Sequence, residues 1–203
     1  MSDKIKIYGD STSGNCDKVR FTADYLSIPY EWIETSVLKG ETREAEFLTI
    51  NPWGEVPAIV LPDGKSLWQS NAIIQYLAEG TRLAPSDAYL RGRVNAWLFW
   101  EQYSHEPYIA VCRAQLAFRG YTVEMLEPSR VERGNRALDF MEARLEARNW
   151  LEGDGITVAD IALVAYTRLA HEGNFDLAHR LNVRAWIARA ETELGITSSW
   201  SPR

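Results

Sequence analysis

A chain of 203 residues can form one large domain or two small ones around a sizeable core. Its 46% hydrophobic and 25% charged residues are the composition of a soluble globular protein. A net charge of −6 with no long basic block argues against a nucleic-acid surface. Cys16 and Cys112 lack C-x-x-C or metal-ligand spacing, so neither a zinc site nor a disulfide framework is expected, and a reducing, cytoplasmic compartment fits. The opening MSDKIKIYGDS has no apolar signal-peptide core. No apolar run approaches the ~18 residues of a membrane span, so no membrane partner is expected.

The first eighty residues alternate between strand and helix patterns. Lys4–Tyr8 alternates polar and apolar residues, as a strand with one buried face does. After Gly14, Val19, Ala23 and Leu26 recur at helical spacing, and Ile28-Pro29 closes that helix. Tyr30–Thr35 is a second strand, and a short helix is expected around Arg43–Leu48. Ala58–Leu61, the turn Pro62-Asp63-Gly64 and Ser66–Trp68 form a β-hairpin. Ser70 then reads as the N-cap of a helix carrying Ile73, Ile74 and Leu77 and stopped by Gly80. The order βαβαββα implies one small mixed sheet with helices.

From about residue 86 the strand signals cease. Leu90, Val94, Trp97 and Leu98 mark one helical face, and Pro107 should kink or break that helix. Pro128 reads as a first-turn proline ahead of Val131, Leu138, Met141 and Leu145. Apolar stripes follow at Val158–Leu169 and Val183–Leu194. The expected organisation is an α/β domain at 1–80, a linker at 81–85 and an all-helical domain at 86–203.

Three stretches carry candidate chemistry. STSGNCDKVR, residues 11–20, crowds Ser11, Thr12, Ser13 and Cys16 before a helix. In NPWGEVPAIV, Pro57 is either a strand-entry proline or a cis-proline that turns the Val56 N–H and C=O outward for an extended peptide. Gln69-Ser70 opens a helix, whose N–H groups and serine hydroxyl suit a carboxylate. His105, His171 and His179 all lie in the helical half, and no local motif supplies a base for a serine nucleophile.

SGNCDKVR (13–20), NPWGEVPAI (51–59), QSNAIIQYL (69–77) and GDGITVADIALVAY (153–166), in this order and spacing, resemble the cytosolic glutathione transferases over nearly the whole chain. The resemblance implies a thioredoxin-like N-terminal domain, a helical C-terminal domain, a homodimer, and conjugation of glutathione, as co-substrate, to a small electrophile without a metal. It implies that the backbone of Val56, ahead of cis Pro57, pairs with the cysteinyl part of glutathione. Gln69 and Ser70 match the pair that holds the γ-glutamyl end, although many relatives carry Glu where this chain has Gln69. Lys39 lies in the loop that often meets the glycyl carboxylate. Counted back from Val19, Ser13 falls where the serine-type classes keep their catalytic hydroxyl. Ser11 or Thr12 comes next and Cys16, as a packing residue, last; Tyr8 is the rival from the tyrosine-type classes. Trp100, Tyr103, Tyr108 and Arg113 are the candidates for the electrophile pocket. Thr157-x-x-Asp160, with Ile156 and Ile161 as a staple, resembles the family's folding motif and is structural. A glutathione-dependent isomerase, dehalogenase or thiol reductase, or a non-catalytic binding protein, are the other readings of this scaffold.

Overall fold

The computed structural model describes residues 4–196. The chain divides into two compact units, Met1–Thr81 and Arg82–Arg203.

In the first unit the strands β1 (Ile5–Gly9), β2 (Tyr30–Glu34), β3 (Ala58–Val60) and β4 (Ser66–Trp68) form one sheet in the order β2-β1-β3-β4. β1 and β2 are parallel, joined through α1 (Gly14–Tyr25); β3 runs antiparallel to both β1 and β4. α1 packs against α3 (Ser70–Ala78). Ile7, Val19, Ala23, Ile59, Ile73 and Ile74 are all at most 1% exposed and form the centre of this core. The alternation that marked β1 is real: Ile7 is buried, while Tyr8 points the other way and meets Phe47 edge-on, ring centroids 6.1 Å apart. The expected short helix is divided into a 3₁₀ turn, Glu41–Arg43, and α2 (Ala45–Ile50), because Glu44 between them is extended.

One local expectation is corrected. Ser70 is not an N-cap: Gln69 occupies that position and Ser70 is the first helical residue. The Ser70 hydroxyl instead donates across to Asn15 Oδ1 of α1, 3.0 Å away.

The second unit holds α4 (Ala88–Trp100), α5 (Glu106–Phe118), α6 (Pro128–Leu145), α7 (Val158–Thr167) and α8 (Leu181–Leu194). Every residue of α7 is buried, so it forms the axis against which α4, α5 and α8 pack. Its start is a complete capping box. The Thr157 N–H donates to Asp160 Oδ2 at 2.9 Å, and the Thr157 hydroxyl accepts from the Ala159 N–H. Ile156 and Ile161, the expected staple, are both buried. Pro107 interrupts the long helix differently from a simple kink. A π turn, Glu101–His105, is inserted before it, and Pro107 falls in the first turn of α5, which continues directly from that π turn. Pro128 is a first-turn proline as expected. No helix among the described residues is long and apolar enough to cross a membrane.

Candidate functional site

The sheet register explains why distant sequence motifs meet. Tyr8 pairs with Ile33 on one side and Ala58 on the other, and Ala58 pairs with Trp68. The carboxyl ends of β1, β2 and β4 and the start of β3 therefore lie at one end of the sheet. Four segments emerge there: Asp10–Ser13, Thr35–Lys39, Val56-Pro57 and Gln69-Ser70.

The β1–α1 turn is organised by Asp10, which sequence reasoning passed over. Asp10 is 5% exposed and accepts from the Thr12 N–H (2.9 Å), the Thr12 hydroxyl (2.6 Å) and the Val37 N–H (2.9 Å). Burial raises its pKa, but these hydrogen bonds outweigh burial and hold the carboxyl below its ordinary range. One carboxylate thus ties the turn to the loop that carries Lys39. The signal was local: an Asp followed two residues later by Thr forms an Asx turn. Glu34 anchors the turn's other side, accepting from the Ser11 N–H at 2.9 Å and from Trp32 Nε1 at 2.8 Å.

These partners sort the four candidates in STSGNCDKVR. The Thr12 hydroxyl is engaged by Asp10, and Ser11 by Glu34. Cys16 is 0% exposed inside α1, and burial pushes its thiol up to about 12, against hydrogen bonds from the Ser13 hydroxyl and the Asp10 N–H. Ser13 remains: half-buried, at the N-cap of α1, its hydroxyl making no cap bond and resting against the Cys16 sulfur. Tyr8 is turned toward α2 and borders a separate concavity with Lys6, Thr49 and Val60.

The Val56–Pro57 peptide bond is cis. Neither the N–H nor the C=O of Val56 is hydrogen-bonded among the described residues. The preceding NPWG turn is built by Asn51, 2% exposed, whose side chain accepts from the Trp53 N–H and donates to the Glu55 C=O. Gly54 is required there: its φ is +70°, and a Cβ would lie 2.5 Å from Arg43 Nη1. Asn51 and Gly54 are thus further site-forming residues, legible only as turn chemistry.

Gln69 is exposed at φ +72°, a conformation that non-glycine residues rarely adopt. Its side chain makes no hydrogen bond among the described residues. Ser70 is buried beside it at the N-terminus of α3. Lys39 is exposed, with its N–H on Ser36 Oγ. Hence Ser13, Val56, Pro57, Gln69, Ser70 and the Lys39 loop share one end of the sheet.

In the helical unit the structure separates the four pocket candidates. Trp100 and Tyr108 border one cavity of about 360 Å³ with Ser104, Arg133, Arg136 and Phe140. The Trp100 and Phe140 rings lie 5.2 Å apart, and Arg133 Nη1 donates to the Tyr108 hydroxyl at 3.1 Å. Tyr103 and Arg113 do not border it. Tyr103 is 81% exposed. Arg113 is buried, pairs with Glu172 at 2.7 Å and stacks over Phe118. No group of metal-ligating side chains occurs among the described residues.

Residues 12–79 match the family model described as glutathione S-transferase, N-terminal domain, and residues 99–193 the one described as glutathione S-transferase, C-terminal domain. The chain is 28% identical over 182 residues to glutathione S-transferase F10 of Arabidopsis thaliana, covering 85% of this chain and 84% of the relative. It is 29% identical over 199 residues to glutathione S-transferase GstB of Escherichia coli K12, covering 90% of each. Among solved structures, a glutathione S-transferase of Pseudomonas fluorescens aligns with a TM-score of 0.90 at 44% identity, over 93% of this chain and 94% of that one.

Proposed function

The chain belongs to the glutathione S-transferase family and is a transferase enzyme, and from that premise we propose that Ser13 activates the glutathione thiol for attack on a small electrophile. A free thiol, with a pKa of about 8.5, is only a few per cent ionised at pH 7. A shift of about two units, or ~2.7 kcal/mol, makes the thiolate the main form. A hydroxyl donor beside the positive end of α1 supplies stabilisation of that kind. The observation that carries this reading is the convergence of Ser13, Val56, Gln69 and Ser70 at one end of the sheet. In the proposed complex glutathione lies extended along the unpaired backbone of Val56, beside Pro57. Its γ-glutamyl end meets Gln69 and Ser70, and its glycyl carboxylate faces Lys39.

The division of labour is part of the proposal: residues 1–80 bind glutathione, 81–85 link, and 86–203 hold the electrophile. The cavity bordered by Trp100 and Tyr108 supports the last assignment. A homodimer is also proposed; Tyr89 and Phe99, each 77% exposed on α4, are aromatic surfaces that a second copy would cover. Composition and cysteine usage support a cytoplasmic location.

The burial of Cys16 speaks against a cysteine-based reductase. The test is an ultraviolet titration of bound glutathione with wild type and Ser13→Ala, together with steady-state kinetics. The expected result is a thiol pKa well below that of free glutathione in wild type only, with kcat falling far more than KM rises. An unshifted wild-type pKa, or equal changes in both constants, refutes the role.

A further inference from the structure

Lys18 lies in α1 and is 0% exposed. A lysine ammonium carries three donors and no acceptor, so in the interior each contact it makes with an oxygen is a donation. Two of these contacts cross to the start of α3: Nζ lies 3.5 Å from Ser70 Oγ and 3.4 Å from Asn71 Oδ1. The direction matters. Ser70 Oγ accepts from Lys18, so the hydroxyl proton is free to point elsewhere, and it is donated to Asn15 Oδ1. A serine held in this way presents its proton rather than its lone pairs to an arriving ligand. A cationic neighbour also polarises the O–H bond and strengthens its donation to an anion.

We propose that Lys18 is a positioning residue for carboxylate recognition: from within the α1–α3 interface it holds the Ser70 hydroxyl as a donor to the γ-glutamyl carboxylate of glutathione. This rests on the reading of Ser70 as a ligand to that carboxylate. Lys18 itself stays buried and does not touch the ligand. Asn15 releases the Ser70 proton when the carboxylate arrives, while the bond from Lys18 persists.

The experiment compares two ligands by isothermal titration calorimetry: glutathione, and 4-aminobutyryl-cysteinylglycine, which lacks only the γ-glutamyl carboxylate. The proteins are wild type, Lys18→Met, Ser70→Ala and the double variant, each checked for folding by circular dichroism. Lys18→Met is expected to weaken glutathione about ten-fold, the scale of one charge-assisted hydrogen bond. The analogue should weaken by less than about two-fold, the usual tolerance for independent effects. In the Ser70→Ala background Lys18→Met should add nothing. Equal losses for both ligands, or additive losses in the double variant, overturn the proposal. A wild type that binds both ligands equally refutes the reading of Ser70 instead, and the proposal with it. Should Lys18→Met not fold, Asn71→Ala removes the second acceptor of Lys18 without emptying the interface. It should give a smaller loss, again confined to glutathione; a loss shared by both ligands, or none, counts against the proposal.

Discussion

Replacing Asp160 offers a quantitative test of what holds the helical unit together. Asp160 is 0% exposed, and both its oxygens are occupied. Oδ1 accepts from the Leu151 N–H at 3.0 Å and from Trp186 Nε1 at 2.9 Å; Oδ2 accepts from the Thr157 N–H at 2.9 Å and the Thr157 hydroxyl at 3.1 Å. One side chain therefore joins the segment before α7, the start of α7 and the middle of α8. In Asp160→Ala the Thr157 hydroxyl can rotate away, but three rigid donors lose their acceptor in a buried space. At about 1–3 kcal/mol for each buried donor left unpaired, and with water relieving part of the loss, the cost is about 3–5 kcal/mol. That is a large share of the ~5–15 kcal/mol that holds a typical domain. Asp160→Asn keeps one acceptor oxygen for Leu151 and Trp186 but turns an N–H₂ toward the Thr157 N–H. Its cost is about 1–3 kcal/mol, smaller than that of alanine.

The assay is urea denaturation followed by far-ultraviolet circular dichroism and tryptophan fluorescence. The expected order of stability is wild type, then Asn, then Ala. An alanine variant within about 1 kcal/mol of wild type, the cost of an ordinary lost cap, refutes the three-donor account. An asparagine variant less stable than alanine refutes the geometry. Activity per folded molecule should be retained in both, because Asp160 belongs to the helical core and to no candidate site.

Two other predictions bear on chemistry and on pH. With its thiol pushed up to about 12 by burial, Cys16 has a thiolate fraction of about one in ten thousand at pH 8. Native protein should therefore resist thiol-directed reagents at Cys16 and form no mixed disulfide with glutathione there; rapid labelling at Cys16 by mass spectrometry contradicts the burial argument. Glu152 accepts from Trp97 Nε1 (2.9 Å) and pairs with Arg93 and Arg144 (each 2.8 Å); these contacts outweigh burial and lower its pKa. Because the folded value lies below the unfolded one, its stabilisation is complete above about pH 4.3 and fades as pH falls through the folded value. Glu152→Gln should lower the melting temperature at pH 7 and flatten its decline over that acid range, as read by calorimetry; an unchanged acid slope refutes it.

How much of this was legible in the sequence depended on whether the deciding physics was local. The α7 segment could be read because its capping box lies within four residues and the stripe is apolar throughout. The hairpin could be read because Pro62-Asp63-Gly64 sits between two short apolar runs. The π turn could not. Pro107 predicts an interruption but not its form: within the π turn Glu101 and His105 are both buried, and His105 meets Thr167, 62 residues on, a contact no local pattern contains. Ser70 illustrates the same limit. A serine before an apolar helix follows the N-cap rule, yet Lys18 and Asn15, 52 and 55 residues away, compete for its hydroxyl and win.

The candidate site divides along the same line. Its members were named from motifs, but their meeting follows from the register of four short strands, which no single motif contains. The pocket candidates fared differently because aromatic spacing along a helix fixes a face only while the helix is regular. Across the π turn Trp100, Ser104 and Tyr108, four residues apart, border one cavity, while Tyr103 is exposed to solvent. In STSGNCDKVR the choice among four side chains rested on what each already holds. Asp10 and Glu34 engage Thr12 and Ser11, and the helix core takes Cys16. Only the Ser13 hydroxyl is left with a sulfur for a partner, and that bond to the neutral Cys16 thiol is weak. On the proposed mechanism an incoming thiolate, a stronger acceptor than a neutral thiol, would take that hydroxyl from Cys16.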